Sequence, residues 1–245
     1  IVTANDCANV ALAVGASPIM AQAVEEMADI SRASSAEVLN AGTPDEAKFD
    51  AALACARISG AEGRPVVIDP VGVGASPWRL GQVRDLLDGF TPAILRVNLG
   101  EAQALLGTDG REQGVDSPLP ASRDVRRDTA MELARRRHTA VPLPGPEDLI
   151  TDGERVWCVT GGSDAMSRVT GTGCMLSVLC GVFAAVEPDA AEAAVLASAF
   201  WKVCARRAEL LTGERGPGSF HTALLDAAGT LTASDLAREA GIVLL

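Results

Sequence analysis

Short runs of β-branched residues, each ended by a turn, alternate with longer helical stretches along most of this chain. "RPVVIDPVG" (64–72) is stopped by Pro and Gly, as a buried strand that enters a loop would be. "AILRVN" (93–98) is a second such run, "TAVPLP" (139–144) is a weaker third and "SAEVLNAG" (35–42) a fourth. Strands that alternate with helices predict an α/β protein whose mostly parallel sheet is covered on both faces.

The helical stretches carry recognisable start signals. Residues 43–59 begin with Thr43 as the expected N-cap, Pro44 at the first helical position and acidic residues in the first turn. "DLITDGERVWCVTGG" (148–162) has two alternating runs around an Asp-Gly turn, which predicts a hairpin at the sheet edge. The remaining expected helices are 122–138, 173–187, 189–212, 219–229 and 233–240, and 108–120 is expected to be a surface loop.

Composition limits the classes of function. The formal charge of −11 on 245 residues argues against binding to nucleic acids or anionic membranes, because either needs a basic face. No apolar run reaches the length of a membrane span, and six cysteines without metal-type spacing are typical of reduced thiols in the cytoplasm. Residues 1–245 are expected to form a single domain. Because the chain starts at Ile1 without methionine, we expect that it lacks its native N-terminal segment.

The stretch "RVTGTGCMLS" (168–177) places two glycines, two threonines and a cysteine before a long apolar run. Small residues let a backbone approach a ligand closely, and the free N–H groups of a helix that starts near Gly173 would hold an anion such as a phosphate. A thiol at this position, Cys174, is expected to have a lowered pKa and to act as a base or a polar guard. Taken alone, the motif also fits an ordinary helix start with a buried cysteine.

Polar residues follow two of the expected strands. Asp69 ends the run at 64–72, where ligands of open α/β sheets bind, and Arg96, Asn98 and Glu101 surround the end of the next run. An arginine can neutralise phosphate oxygens, and a carboxylate with an amide can hold Mg²⁺ through water. Singly, Asp69 could equally be a turn former, Arg96 a surface cation and Glu101 a first-turn helix acid. Their common position at strand ends favours a phosphate site.

The motifs "NDCANVALAVGASPIMAQAVEEM", "VVIDPVGVGAS", "LRVNLGEAQALLG", "VTGTGCMLS" and "GPGSF" occur together in one order. In this order and spacing the chain resembles the hydroxyethylthiazole kinase family, from Asn5 to beyond Phe220. The resemblance implies a ribokinase-like three-layer α/β/α sandwich. It also implies a cytoplasmic enzyme that uses ATP and Mg²⁺ to phosphorylate the primary hydroxyl of 4-methyl-5-(2-hydroxyethyl)thiazole in thiamin salvage.

The resemblance also implies roles for individual residues. Cys174 would lie beside the substrate hydroxyl, while Gly171 and Gly173 would cradle the phosphoryl group and Asn5 would support the thiazole pocket. The resemblance also implies a homotrimer whose substrate pockets lie between subunits. The other implied roles are thiazole binding by Met20, Gly42 and Thr43, nucleotide binding by Arg96, Thr170, Gly171 and Pro144, and magnesium binding by Glu101 and Asp69.

The chain departs from the family pattern at several positions. Val97 stands where a glycine is usual, "LGE" replaces a Ser or Ala before Glu, and Pro144 replaces a threonine expected to contact nucleotide phosphate; proline offers neither a hydroxyl nor an N–H. Two alternatives therefore stay open: a kinase for another heterocyclic alcohol such as a pyrimidine, and a non-catalytic thiazole or nucleotide binder. An NAD-binding Rossmann protein is disfavoured, because "GVGAS" (72–76) lacks the GxGxxG frame and its acidic partner.

Overall fold

The first strands of the chain lie side by side and point the same way. The computed structural model describes residues 2–108 and 121–245. The strands are β1 (Glu37–Asn40), β2 (Val66–Asp69), β3 (Ile94–Leu95), β4 (Val141–Leu143), β5 (Asp148–Thr151), β6 (Val156–Thr160) and β7 (Gly241–Leu244). β1, β2 and β3 pair in parallel. A parallel bridge between Ile94 and Ala140 continues the hydrogen bonding from β3 to the segment that enters β4.

The second half of the sheet is antiparallel. β4 pairs with β5, β5 with β6, and β6 with β7. The hairpin expected within 148–162 is therefore confirmed, but its placement at the sheet edge is wrong: β7 lies outside it, built from the last residues of the chain. β7 is hard to predict, because "GIVLL" is a short apolar run with no turn or partner strand beside it in sequence to signal pairing.

Ten α-helices fill the described residues, and the six expected ones are found close to their expected bounds. They are α1 (Ala4–Ala13), α2 (Met27–Ala33), α3 (Glu46–Ala61), α4 (Pro77–Gly89), α5 (Leu99–Leu106), α6 (Arg123–Arg137), α7 (Thr172–Ala184), α8 (Ala190–Thr212), α9 (Pro217–Thr230) and α10 (Ala233–Glu239). Thr43 is not the N-cap of α3. Asp45 takes that role, its side chain accepting the N–H of Lys48, and Thr43 has a positive φ of 46° in the preceding loop.

Helices cover both faces of the sheet, which confirms the three-layer sandwich. Along β2, the side chain of Val67 packs into a core with α1, α7, α8 and α9, whereas Val66 and Ile68 pack into a second core with α3, α4, α5 and α6. The alternation follows from the period of a strand, which sends successive side chains to opposite faces.

The strand directions place several candidate residues at one edge. Because the carboxyl ends of parallel strands meet, Asn40, Asp69, Arg96 and Pro144 follow or end β1 to β4 on the same side of the sheet. The loop expected at 108–120 lies outside the described residues except for Thr108. In the part of the chain that is described, none of the helices combines the length and apolar character needed to cross a bilayer.

Candidate active site

Asp69 is the centre of the strand-end site. Its side chain is fully buried, and its Oδ2 accepts hydrogen bonds from Asn40 Nδ2 at 2.9 Å and Ser177 Oγ at 2.8 Å. Asn40 reaches it because the parallel register sets Asn40 opposite Asp69. Arg96 Nη1 lies 3.4 Å from Asp69 Oδ1. One carboxylate thus ties three strand ends to α7.

Arg96 is a largely buried cation at the start of α7, not a surface one. Its side chain is 12% exposed, and a Cβ on Gly173 would lie 2.5 Å from its Nη2. Burial alone would lower the pKa of Arg96, but the Asp69 and Glu101 carboxylates outweigh it, so the pKa is raised and the guanidinium is charged. Its Nε has no hydrogen-bond partner among the described residues. The group therefore keeps donor capacity for an anion.

The amino end of α7 has the form expected of an anion site. Gly171 is the N-cap with φ of 89°, a value that glycine adopts without strain, and it brings no side chain to cap the first turn. A Cβ there would also lie 2.7 Å from Thr3 Cγ2. Trp201 Nε1 donates to Thr172 O at 3.0 Å and so fixes the first residue of α7 in place. The free N–H groups of this turn and Arg96 lie together.

Cys174 lies in this turn, but the prediction that its pKa is lowered is wrong. Burial and the negative charge of Asp69 raise the pKa of the thiol above its usual value, and hydrogen bonds with Asn40 and Thr3 together with the charge of Arg96 do not offset them. The helix N-terminus favours a thiolate, yet loss of hydration disfavours any charge. At neutral pH the side chain is a neutral thiol.

We therefore expect activity to be insensitive to thiol ionisation. A base must be deprotonated to act, so a reaction dependent on the Cys174 thiolate would accelerate about tenfold per pH unit below its raised pKa. We expect kcat to change by less than about threefold between pH 7 and 8.5 in the wild type and in Cys174→Ser alike. Steady-state pH profiles measure this, and a steep rise with pH in the wild type that Cys174→Ser abolishes would restore the base role.

Glu101 joins α5 to the loop after β2. It forms a capping box with Asn98: Glu101 Oε2 accepts the N–H of Asn98 at 2.9 Å, and Asn98 Oδ1 accepts the N–H of Glu101 at 2.8 Å. Its Oε1 accepts the N–H of Gly72 at 2.9 Å. The first-turn role suggested by the sequence is thus present. Each oxygen retains a second lone pair, and carboxylate oxygens suit Mg²⁺, which keeps several of its waters.

The three expected thiazole contacts lie in two segments. Gly42 is drawn to the strand-end site, because its N–H donates to Asn40 Oδ1 at 2.8 Å, and Thr43 follows it. Met20 and its neighbour Ile19 lie in the irregular stretch after α1, with 52% and 55% of their surfaces exposed. Asn5 Oδ1 accepts a hydrogen bond from Asn9 on the exposed side of α1.

The remaining nucleotide candidates lie near the same edge. Pro144 directly follows β4 and is half-buried, and Thr170 is exposed immediately before Gly171. Neither makes a side-chain hydrogen bond within residues 2–108 and 121–245. The nucleotide-binding role of Thr170 therefore stays a prediction, and the Pro144 side chain has no polar atom with which to bind a nucleotide.

Four further residues contact the site without having been singled out: Asn40 and Ser177, described above, and Thr3 and Cys7 of the N-terminal segment. Thr3 lies beside both cysteines, and its side chain lowers the pKa of each. Burial, then the nearby Cys174, raises the pKa of Cys7 to about 11, so Cys7 belongs to the site rather than to the remote core. Only Ser177 had a usable sequence signal, because it follows Gly173 by one helical turn.

Ser177 is expected to stabilise the buried carboxylate. In Ser177→Ala, Asp69 loses one of its hydrogen bonds in a site without access to water, which costs about 1–3 kcal/mol of unfolding free energy. Urea denaturation followed by circular dichroism measures this, with Ser167→Ala, at an exposed site, as the control. An unchanged midpoint would show that the Ser177–Asp69 contact carries no stability.

The architecture of this chain is found in known proteins. A ribokinase-like superfamily protein from Enterococcus faecalis V583 shares the architecture, with a TM-score of 0.56 at 14% identity over 84% of this chain and 67% of that chain. The profile of the "Hydroxyethylthiazole kinase family" matches residues 1–234. The chain belongs to the hydroxyethylthiazole kinase family.

Individual relatives agree. The hydroxyethylthiazole kinase of Methanoculleus marisnigri is 44% identical over 241 residues, covering 98% of this chain and 85% of that protein. That of Clostridium beijerinckii is 39% identical over 236 residues, covering 95% and 86%. The solved structure of a hydroxyethylthiazole kinase protein from Pyrococcus horikoshii OT3 superposes with a TM-score of 0.89 at 33% identity, covering all of this chain and 91% of that one.

Proposed function

We propose that this protein transfers the terminal phosphoryl group of ATP to the primary hydroxyl of 4-methyl-5-(2-hydroxyethyl)thiazole. The observation that carries the proposal is the Arg96 guanidinium buried against Gly173, at an uncapped helix start on the carboxyl edge of the sheet. The names of the relatives supply the acceptor alcohol. Phosphoryl transfer asks a protein mainly for alignment and charge neutralisation, and this arrangement supplies both.

In this proposal each group at the helix start has one task. The backbone N–H groups of 171–173 hold the equatorial oxygens of the phosphoryl group, and Arg96 neutralises charge on the same oxygens. Thr170 contacts the nucleotide from the adjoining turn. The neutral thiol of Cys174 contacts the acceptor hydroxyl, whose proton leaves late, since a loose transition state places little demand on a base.

Magnesium would be held mainly through Glu101. Its oxygens have the right chemistry and a spare lone pair each, as described above, and Asp69 adds negative charge from its buried position. When bound, the ion would supply positive charge that neutralises the phosphate oxygens of ATP.

The thiazole pocket is proposed to lie beside Gly42 and Thr43, closed by Met20 of a neighbouring subunit in a homotrimer. Ile19 and Met20 are exposed neighbours, so their apolar side chains are free to make such a contact. Sedimentation velocity tests the assembly. Because the co-substrate is ATP, a cytoplasmic location belongs to the proposal.

A non-catalytic binder is the second candidate, and Pro144 is the observation that favours it. Titration calorimetry with the thiazole alcohol, followed by a coupled ATP-turnover assay, separates the two. The kinase proposal predicts thiazole binding and thiazole-dependent ADP release. Thiazole binding without turnover would establish the binder, and a protein that phosphorylates only a pyrimidine alcohol would keep the kinase and change its substrate.

A further inference from the structure

Lys202, in the middle of α8, is a buried cation that the proposed reaction does not use. Its side chain is only 7% exposed, and its Nζ lies 3.1 Å from Asp148 Oδ1. The same Nζ donates to three backbone carbonyls, those of Gly145 at 3.2 Å, Pro146 at 3.3 Å and Gly161 at 3.4 Å. A buried ammonium is costly unless it is paired and hydrogen-bonded, and here every donor position has a partner.

The partners of Lys202 belong to two loops. Gly145 and Pro146 follow β4, Gly161 follows β6, and Asp148 begins β5. β6 runs parallel to β4, because each is antiparallel to β5. The two loops therefore lie on the same side of the sheet as Asp69 and Arg96, at the carboxyl edge.

The loop after β4 is held a second time by neighbouring groups. Asp148 Oδ1 accepts the N–H of Gly145 at 3.0 Å, and Asp148 Oδ2 accepts the hydroxyl of Ser198. Arg126 Nη2 donates to Leu143 O at 3.2 Å and Glu147 O at 2.8 Å. The segment 143–148 is thus drawn inward by its carbonyls, although Gly145 and Pro146 themselves are exposed.

Carbonyls that point at Lys202 fix the direction of the neighbouring amides. In a trans peptide the C=O and the N–H of the next residue point to opposite sides. Since Pro146 O and Gly161 O face Nζ, the N–H groups of Glu147 and Gly162 point away from Lys202, from half-buried residues at the carboxyl edge. Such outward N–H groups suit the polar groups of a nucleotide.

We propose that Lys202 is a positioning residue of the nucleotide site: it fixes 144–147 and 161–162 as a wall against which ATP binds. The proposal rests on the proposed kinase function. Pro144 offers the nucleotide neither a hydroxyl nor an N–H. Other backbone N–H groups of this loop therefore have to be held in a fixed position, and Lys202 does so by binding the loop carbonyls.

The test compares nucleotide and thiazole affinities in charge-matched variants. Lys202→Met alone leaves the Asp148 carboxylate buried and unpaired, so the informative variant is Lys202→Met with Asp148→Asn, in which the amide oxygen still accepts the N–H of Gly145 and the amide NH2 donates to the Ser198 hydroxyl. We expect its Kd for ATP, by calorimetry, to rise about tenfold or more, and its Kd for the thiazole to stay within about twofold. Ser198→Ala, which loosens the same carboxylate without touching the loop carbonyls, should keep ATP affinity within about twofold.

Two outcomes would overturn the inference: a folded double variant with unchanged ATP affinity, or an equal loss of ATP and thiazole affinity. The proposed function is judged separately on the wild type. A wild type without ATP binding or turnover removes both proposals, whereas an active wild type with an unaffected double variant removes only the role of Lys202.

Discussion

Replacing Arg96 by methionine is expected to lower kcat/KM by about 10³-fold or more, because the phosphoryl oxygens lose the buried cation at the start of α7. Steady-state kinetics with ATP and the thiazole alcohol measure the loss. The effect should fall mainly on kcat, since charge on the transferring group is greatest in the transition state.

The main complication is Asp69, whose buried carboxylate would lose its charge partner. Arg96→Met is therefore paired with Arg96→Met/Asp69→Asn, which removes both charges and keeps an acceptor for Ser177. Arg96→Lys preserves the charge and loses the planar fork, so it should recover part of the activity. Activity within about tenfold of the wild type in a folded Arg96→Met protein would exclude Arg96 from phosphoryl transfer.

Gly173→Ala is expected to lower kcat by about 10²-fold while leaving the protein folded. The new Cβ would lie 2.5 Å from Arg96 Nη2 and 3.0 Å from its Cζ, closer than such atoms pack, so the guanidinium has to move away from the helix start. The displacement separates the two groups that the account brings together, the cation and the free N–H groups.

Gly81→Ala is the matched control, because Gly81 lies within α4 and its Cβ would meet no atom within 4 Å. It should retain wild-type kcat and gain stability of about 0.5–1 kcal/mol, since alanine is the better helix former. Equal kcat in Gly173→Ala and the wild type would mean that Arg96 does not need its place against α7.

The sequence predicted the site best where topology alone brings residues together. Asp69 and Arg96 were predicted from their positions at strand ends, and Gly171 and Gly173 at the start of α7 from their lack of side chains. Asn40 was missed because its role depends on the register between β1 and β2. Lys202 was missed because a single lysine in a long helix is usually a solvated residue, and only the packing of α8 against two loops shows otherwise.

Burial explains the expectations that failed or changed. The pKa of Cys174 was predicted from the helix N-terminus alone, whereas its direction is set by loss of hydration and by Asp69. Val97, a departure from the family glycine, is fully buried among the side chains between the sheet and α3 to α6. It therefore adds apolar packing beneath the site. Pro144 is the departure that bears on the proposed nucleotide site.

The most direct test of the central claim is a crystal structure with ADP, aluminium fluoride and the thiazole alcohol, a mimic of the transferring phosphoryl group. We predict that the fluorides lie within hydrogen-bond distance of the N–H groups of 171–173 and of the Arg96 guanidinium, with the alcohol oxygen in line beside Cys174. Aluminium fluoride bound elsewhere, with the start of α7 vacant or closed by side chains, would contradict the account.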